Sequence, residues 1–266
     1  MGGISCGVST IDPMLNGAGT LGCLVKRKNR IVGLTNTHVV GMLYDPDYAQ
    51  PSAGFSDLMG VQVTQPSKED GGSLYTDTVG NAYKAIPLRF GIDAPVNYVD
   101  AATVSFTGKN NIWFDILEVT GGPYDFGETY AGEIITKSSR TTQLTYGTVV
   151  DTNVDLAVYY NNSEEDKDTA YFTNQVLTEG TDHSAAGDSG SVIVRDTTIV
   201  GLVFGGTADG VYAISNPINR VAELLDLVPW DGSIVLPLSD QEEYTYNGRL
   251  YRRKGTVRKP IQVGDQ

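Results

Sequence analysis

The chain has 266 residues, 40% of them hydrophobic and 19% charged, with a formal net charge of −13. That length can bury one sizeable core or two smaller ones packed together, and the composition is that of a globular protein. The acidic balance argues against nucleic-acid binding by the body, and no apolar run approaches the roughly 18 residues that span a bilayer.

The opening Met1-Gly2-Gly3-Ile4 has no basic residues and no long apolar stretch, so it does not read as a secretory signal. Cys6 stands where a myristoylation pattern wants Ser or Thr. Cys6 and Cys23 are the two cysteines, each in a strand-like apolar stretch. They read as free buried thiols, and the expectation is a reducing, cytoplasmic compartment, with a mature secreted fragment that has lost its signal, or an assembly-associated protein, as the alternatives.

Strand-like runs then recur: Thr20 to Val25, Arg30 to Leu34, Asp100 to Phe106, Ile112 to Val119, Gly147 to Val150, Leu156 to Tyr160, Ser191 to Arg195 and Ile199 to Val203. Turn signals such as Gly121-Gly122-Pro123 and Asp209-Gly210 separate them. Short strands at regular spacing predict an all-β sandwich or barrel. Asp45 to Gly72, with Pro46, Pro51 and Pro66, reads as loop. Asn162 to Asp168 reads as a solvated acidic loop whose spacing fits no calcium motif. One helix is expected near the end: Asn216 caps it, Pro217 occupies its first position, Ile218, Val221, Leu224 and Leu225 share a face, and Pro229 stops it.

After Pro229 the composition changes. Asn247-Gly248 between alternating β-formers predicts a hairpin with a type I′ turn. The last 26 residues carry six Lys or Arg against three acidic residues, so a basic tail ends an acidic chain. The tail, 240–266, either docks on the protein's own acidic surface or is a handle for an acidic protein partner.

Chemistry enters at Gly187-Asp188-Ser189-Gly190-Ser191. Small residues around a serine in a tight turn expose its hydroxyl and leave backbone N–H groups free. Acyl transfer needs both, and the oxyanion donors would be the amides of Gly187 and Ser189. A base is then required, and the chain has only two histidines, His38 and His183. His38 lies where an apolar run meets a polar step, in Gly33-Leu-Thr-Asn-Thr-His-Val-Val40. Asp100 has apolar neighbours, and a carboxylate in such a run needs a partner, which an imidazole can be. Asp93 competes with Asp100 for this role, and His183, beside Asp182, competes with His38. His183 is only six residues before Ser189.

The segments THVV, VDAA and GDSGS, in the order His, Asp, Ser, resemble the three motifs of chymotrypsin-like serine peptidases. Lys137 to Val149 is similar to the segment before the nucleophile in bacterial members such as α-lytic protease and the streptogrisins. Gly17 to Val25, Gly201 to Gly206 and Ser215-Asn-Pro-Ile218 resemble a bacterial trypsin-like group, so the resemblance covers roughly residues 3–226. It implies two six-stranded antiparallel β-barrels with the active site between them and a C-terminal helix, in an all-β domain of residues 1–228. The first barrel would take about 1–115, the second barrel and helix 116–228, and the hairpin tail 229–266.

The resemblance implies a catalytic triad of His38, Asp100 and Ser189, with peptide bonds as substrate and no metal or organic cofactor. It also implies that Arg140 pairs with Asp188 to support the oxyanion turn. His183 and Ser184 would line the pocket for the residue preceding the scissile bond, with Val203, Phe204, Gly205 and Gly206 as its far wall. No aspartate stands at position 183, and the Val203–Thr207 stretch departs from the family's Ser-aromatic pattern, which leaves the pocket's preference open. The expected function is an endopeptidase of narrow, self-directed or partner-directed specificity. The alternative is a latent or non-proteolytic assembly component that retains the fold.

Overall fold

The computed structural model describes residues 2–8, 18–41, 60–107, 115–119, 124–160, 165–230 and 232, and the backbone of 243–246 and 249–252. Two antiparallel sheets dominate it. The first is built from β1 (Ile4–Val8), β2 (Gly19–Leu21), β3 (Cys23–Arg27), β4 (Arg30–Thr35), β5 (Gln62–Thr64), β6 (Thr78–Ala85) and β7 (Ala102–Phe106). Their order is β3-β4-β7-β6-β5-β1-β2. Only Gly22 separates β2 from β3, and its N–H donates to Leu34 O at 2.9 Å. The two are halves of one bent strand, so the sheet curls until its last strand runs back into its first. A Cβ at Gly22 would lie 2.2 Å from the carbonyl oxygen of Gly190, so the bend admits no side chain where the two barrels meet.

The second sheet holds β8 (Asp125–Phe126), β9 (Ile134–Ser139), β10 (Gln143–Tyr159), β11 (Thr169–Glu179), β12 (Val192–Arg195), β13 (Thr198–Gly206) and β14 (Tyr212–Pro217). Pairing runs β9-β10-β11-β14-β13-β12, and β12 returns to β9, which closes a six-stranded ring. The short β8 lies outside it, parallel to β13. The two-barrel, all-β architecture expected from the sequence is therefore present.

Strand faces divide the core. Ile199 and Leu202 of β13 join Val25, Leu34, Val99 and Ala101 in a cluster shared by both barrels, while Val200 and Val203 pack inside the second barrel with Ile135 and Val176. Cys6, Leu21, Val39 and Val104 fill the first barrel, and burial pushes both thiols, Cys6 and Cys23, up to about 12. Helix α2 (Ile218–Leu225) lays Ile218, Val221 and Leu225 on the shared cluster. It ends at Asp226 in the left-handed conformation, and Arg27 Nε donates to the terminal carbonyl of Leu225 at 2.9 Å. The helix thus stops before Pro229, and β15 (Leu227–Pro229) adds to the edge of β3. Pro217, not Asn216, is the N-cap residue.

Other expectations are revised. Gly147–Val150 and Leu156–Tyr159 belong to one strand, β10, which continues past the ring as a two-stranded arm with β11 and ends one residue before Tyr160. Of the run Ile112–Val119, residues 112–114 lie outside the described residues, and Ile116 and Val119 close a tight turn. Of the acidic run, residues 162–164 lie outside the described residues; Asp168 is buried and Asp166 accepts from the N–H of Ile92 at 2.8 Å, so its described part is structural as well as solvated. Of the loop expected from Asp45 to Gly72, residues 45–59 lie outside the described residues, and β5 interrupts the remainder. In the tail, β16 (Glu243–Tyr246) and β17 (Arg249–Arg252) pair as the expected hairpin; its turn, and residues 233–242 and 253–266, lie outside the described residues. Among the described residues no helix is long and apolar enough to cross a membrane.

Candidate active site

His38 sits in a one-turn helix, α1 (Thr37–Val40), that follows β4 directly. Such a turn leaves its first N–H groups without intrahelical partners. Asp100 supplies one: its Oδ1 accepts from the N–H of Thr37 at 2.7 Å and of His38 at 3.3 Å. Its other oxygen, Oδ2, faces Nδ1 of His38 at 2.5 Å and accepts from the hydroxyl of Tyr160 at 2.9 Å. A single carboxylate therefore both caps the helix that carries the histidine and engages the imidazole. Asp100 is fully buried, and the His38 side chain is 20% exposed.

Two asparagines fix the Asp100 backbone. Asn216 Oδ1 accepts its N–H at 3.0 Å, and its carbonyl accepts from Asn216 Nδ2 at 3.0 Å and Asn36 Nδ2 at 2.7 Å. Asn216, expected as a helix cap, instead brackets Asp100 from the second barrel. Of the alternatives weighed on sequence, Asp93 is exposed, and His183 has threonine hydroxyls rather than a carboxylate as ring partners.

The Ser189 turn meets this pair across the barrel junction. A Cβ placed on Gly19 would lie 2.5 Å from a methyl of Val39, next to His38, and 2.8 Å from the carbonyl of Ser189. Thr20 N–H donates to that same carbonyl at 2.8 Å. Ser189 Oγ rests 3.4 Å from the carbonyl of Phe204, and among the described residues His38 Nε2 makes no hydrogen bond. The hydroxyl and the ring are thus on neighbouring elements without a hydrogen bond closed between them.

Gly187 and Gly190 flank the serine with φ of 98° and 94°, values that favour glycine. The turn between them is held at each peptide. Thr141 Oγ1 donates to Ala186 O at 2.7 Å, and Thr20 Oγ1 donates to Gly187 O at 2.9 Å. In a trans peptide the N–H points opposite the carbonyl. Holding the Ala186 carbonyl against Thr141 therefore aims the Gly187 N–H the other way. Neither the Gly187 nor the Ser189 amide donates to another described residue, so both can serve an incoming oxygen.

Asp188 anchors the turn from below, and here a sequence expectation is corrected. Its cation is Lys137, not Arg140. Lys137 Nζ lies 3.1 Å from Asp188 Oδ2, with both side chains buried. The ammonium also donates to Ser139 Oγ at 3.0 Å and Thr142 Oγ1 at 2.6 Å, which uses all three of its protons. Asp188 further accepts from the amides of Thr141, Thr142 and Ala185 and from Thr142 Oγ1. Burial raises its carboxyl, but Lys137 and these donors outweigh it and hold the group below its ordinary range. Arg140 turns outward instead: Nε and Nη2 grip Asp70 at 2.6 and 3.0 Å, and Nη2 reaches Glu69 at 3.3 Å. Arg140 still borders the turn, since a Cβ on Gly187 would lie 2.4 Å from its Nη1.

The expected pocket is also revised. His183 is fully buried; Nδ1 lies 3.3 Å from Thr145 Oγ1 and Nε2 3.0 Å from Thr178 Oγ1. With both nitrogens engaged, none faces a substrate. The side chains of Val203 and Phe204 point into the core, where Phe204 packs on Phe172 at 4.6 Å between ring centroids. Ser184, Gly205 and Gly206 remain. Ser184 Oγ lies 1.9 Å from where a Cβ on Gly206 would be, so the two walls approach closely and glycine is required there.

Sequence reasoning missed Lys137, Tyr160, Asn36, Thr20 and Thr141. Only Lys137 left a usable signal: it alternates with Ile135 and Ser139 on the inward face of β9.

No family model and no curated protein matches the chain. Solved structures do. Protease A of Thermobifida fusca is similar over 87% of this chain and 98% of its own, with a TM-score of 0.59 and 18% identity. The chymotrypsin of Cellulomonas bogoriensis is similar over 87% and 98%, with a TM-score of 0.57 and 15% identity. A glutamic acid-specific serine protease that uses a histidine triad in substrate binding is similar over 86% and 99%, with a TM-score of 0.55 and 20% identity. The chain thus has the fold of the bacterial chymotrypsin-like serine proteases, its structural neighbours, at identities that speak to fold alone.

Proposed function

We propose that the protein is a serine endopeptidase in which Ser189 is the nucleophile, His38 the general base and then general acid, and Asp100 the group that orients His38. The observation that carries this reading is the His38–Asp100 pair, with Nδ1 and Oδ2 2.5 Å apart, beside a serine turn whose Gly187 and Ser189 amides donate to no described residue. Ser189 Oγ leaves the Phe204 carbonyl and gives its proton to His38 Nε2 as it attacks the scissile carbonyl carbon. The amides of Gly187 and Ser189 receive the oxyanion. His38 then protonates the leaving amine, and an acyl-enzyme remains. Water, deprotonated by His38, attacks it and returns Ser189 and a free carboxylate.

Selection of acidic side chains by the means named for the glutamic acid-specific neighbour does not transfer. This chain has two histidines, one paired with Asp100 and the other sealed between threonines. The close approach of Ser184 to Gly206 favours a small side chain before the scissile bond.

The test is reaction of the purified protein with a fluorophosphonate, read by intact mass. A single addition is expected, located at Ser189 and lost in Ser189→Ala and His38→Ala. Addition elsewhere, or none on a folded chain, overturns the proposal.

A further inference from the structure

The arm formed by β10 and β11 leaves its own barrel and lies against the segment before Asp100. Asn97 N–H donates to Tyr171 O at 2.7 Å, Thr173 N–H to Asn97 O at 3.2 Å, and Gly91 N–H to Thr169 O at 3.0 Å. Just past the far end of β10 this docking places Tyr160 over Asp100. We propose that Tyr160 is a positioning residue for the His38–Asp100 pair, its hydroxyl fixing the rotation of the Asp100 carboxylate and thereby the aim of the imidazole. The proposal rests on the peptidase reading above.

Three observations carry it. The Tyr160 hydroxyl and His38 Nδ1 converge on the same oxygen, Oδ2, at 2.9 and 2.5 Å, so a carboxylate that rotated would lose both. The ring cannot swing away: it meets His38 edge-on at 5.7 Å and Phe90 at 5.5 Å between centroids, and it is 7% exposed. Its neighbours Leu88, Phe90, Ala170, Phe172 and Phe204 are apolar, an environment that packing alone would fill with phenylalanine. A hydroxyl buried among them is unfavourable unless it is hydrogen-bonded, and a buried carboxylate with one donor on an oxygen is less restrained than one with two. The arm therefore does more than bury surface. It carries one barrel's donor to the other barrel's acid, over a separation of 60 residues.

Tyr160→Phe keeps the ring and removes the hydroxyl. Two readouts on the full chain test it. Fluorophosphonate labelling should slow about tenfold, the scale of a hydrogen bond to a charged group. The low-field proton resonance of the His38–Asp100 bridge, assigned by its loss in His38→Ala, should be displaced in Tyr160→Phe. An unmoved resonance overturns the proposal, whether labelling is unchanged or merely slowed by general damage. A displaced resonance in a protein whose parent never labels supports the role of Tyr160 and overturns the peptidase reading instead.

Discussion

Mild acid should destabilise this protein through His183. The ring lies fully buried between Thr145 and Thr178, and Gly147 and Gly180 leave the room it occupies: a Cβ at Gly147 would be 2.7 Å from Cε1. Burial pushes its pKa down from 6.5 to about 4, Lys137 pushes the same way, and Asp188 opposes. The folded state therefore prefers the neutral ring, while the unfolded chain protonates near the ordinary value. Stability from this group is complete above 6.5, falls as pH drops from 6.5 to about 4, and changes no further below that. At about 1.4 kcal/mol per unit the loss is about 3 kcal/mol, a large share of the roughly 5–15 kcal/mol that holds a domain folded. Urea unfolding followed from about pH 7 to about pH 4 measures it in the parent and in His183→Gln. Glutamine can satisfy both threonines and does not titrate. The parent should lose about 3 kcal/mol more than the variant across this window. Parallel profiles would refute the reasoning, because carboxylates remote from the ring contribute equally to both proteins.

Two further predictions concern the serine turn. Lys137→Met leaves Asp188 buried without its cation, and should destabilise the fold by about 3–5 kcal/mol in chemical denaturation; Lys137→Met with Asp188→Asn should recover part of that, and a double variant no better than the single would count against the pair. Thr141→Val frees the Ala186 carbonyl and so the Gly187 amide. In peptide hydrolysis it should lower kcat about tenfold with KM little changed, a fraction of the about 100-fold lost with one oxyanion donor, while Thr141→Ser should keep the activity. An effect confined to KM would place Thr141 in binding rather than in holding the turn.

Local chemistry carried much of the reading. The glycines of the Ser189 turn, the strand periodicity of Arg30–Leu34 and Ile199–Val203 and the hairpin signal at 247–248 depend on neighbours in sequence, and each is legible there. Arg140 illustrates where this fails. It and Lys137 lie three residues apart in one segment, and a lysine is ordinarily the one left outside. Closure of the second barrel reverses that: alternation along β9 turns Lys137 inward onto Asp188, and the turn after β9 swings Arg140 toward Asp70.

The order of His38, Asp100 and Ser189 along the chain, and the glycines on either side of the serine, were written in the linear sequence. Which buried group satisfies which was decided by the tertiary structure. Asn216 reaches Asp100 across 116 residues, and Lys137 reaches Asp188 across 51. A buried donor or acceptor must take its partner from whatever the closed barrels bring within about 3 Å, and no local pattern encodes that meeting.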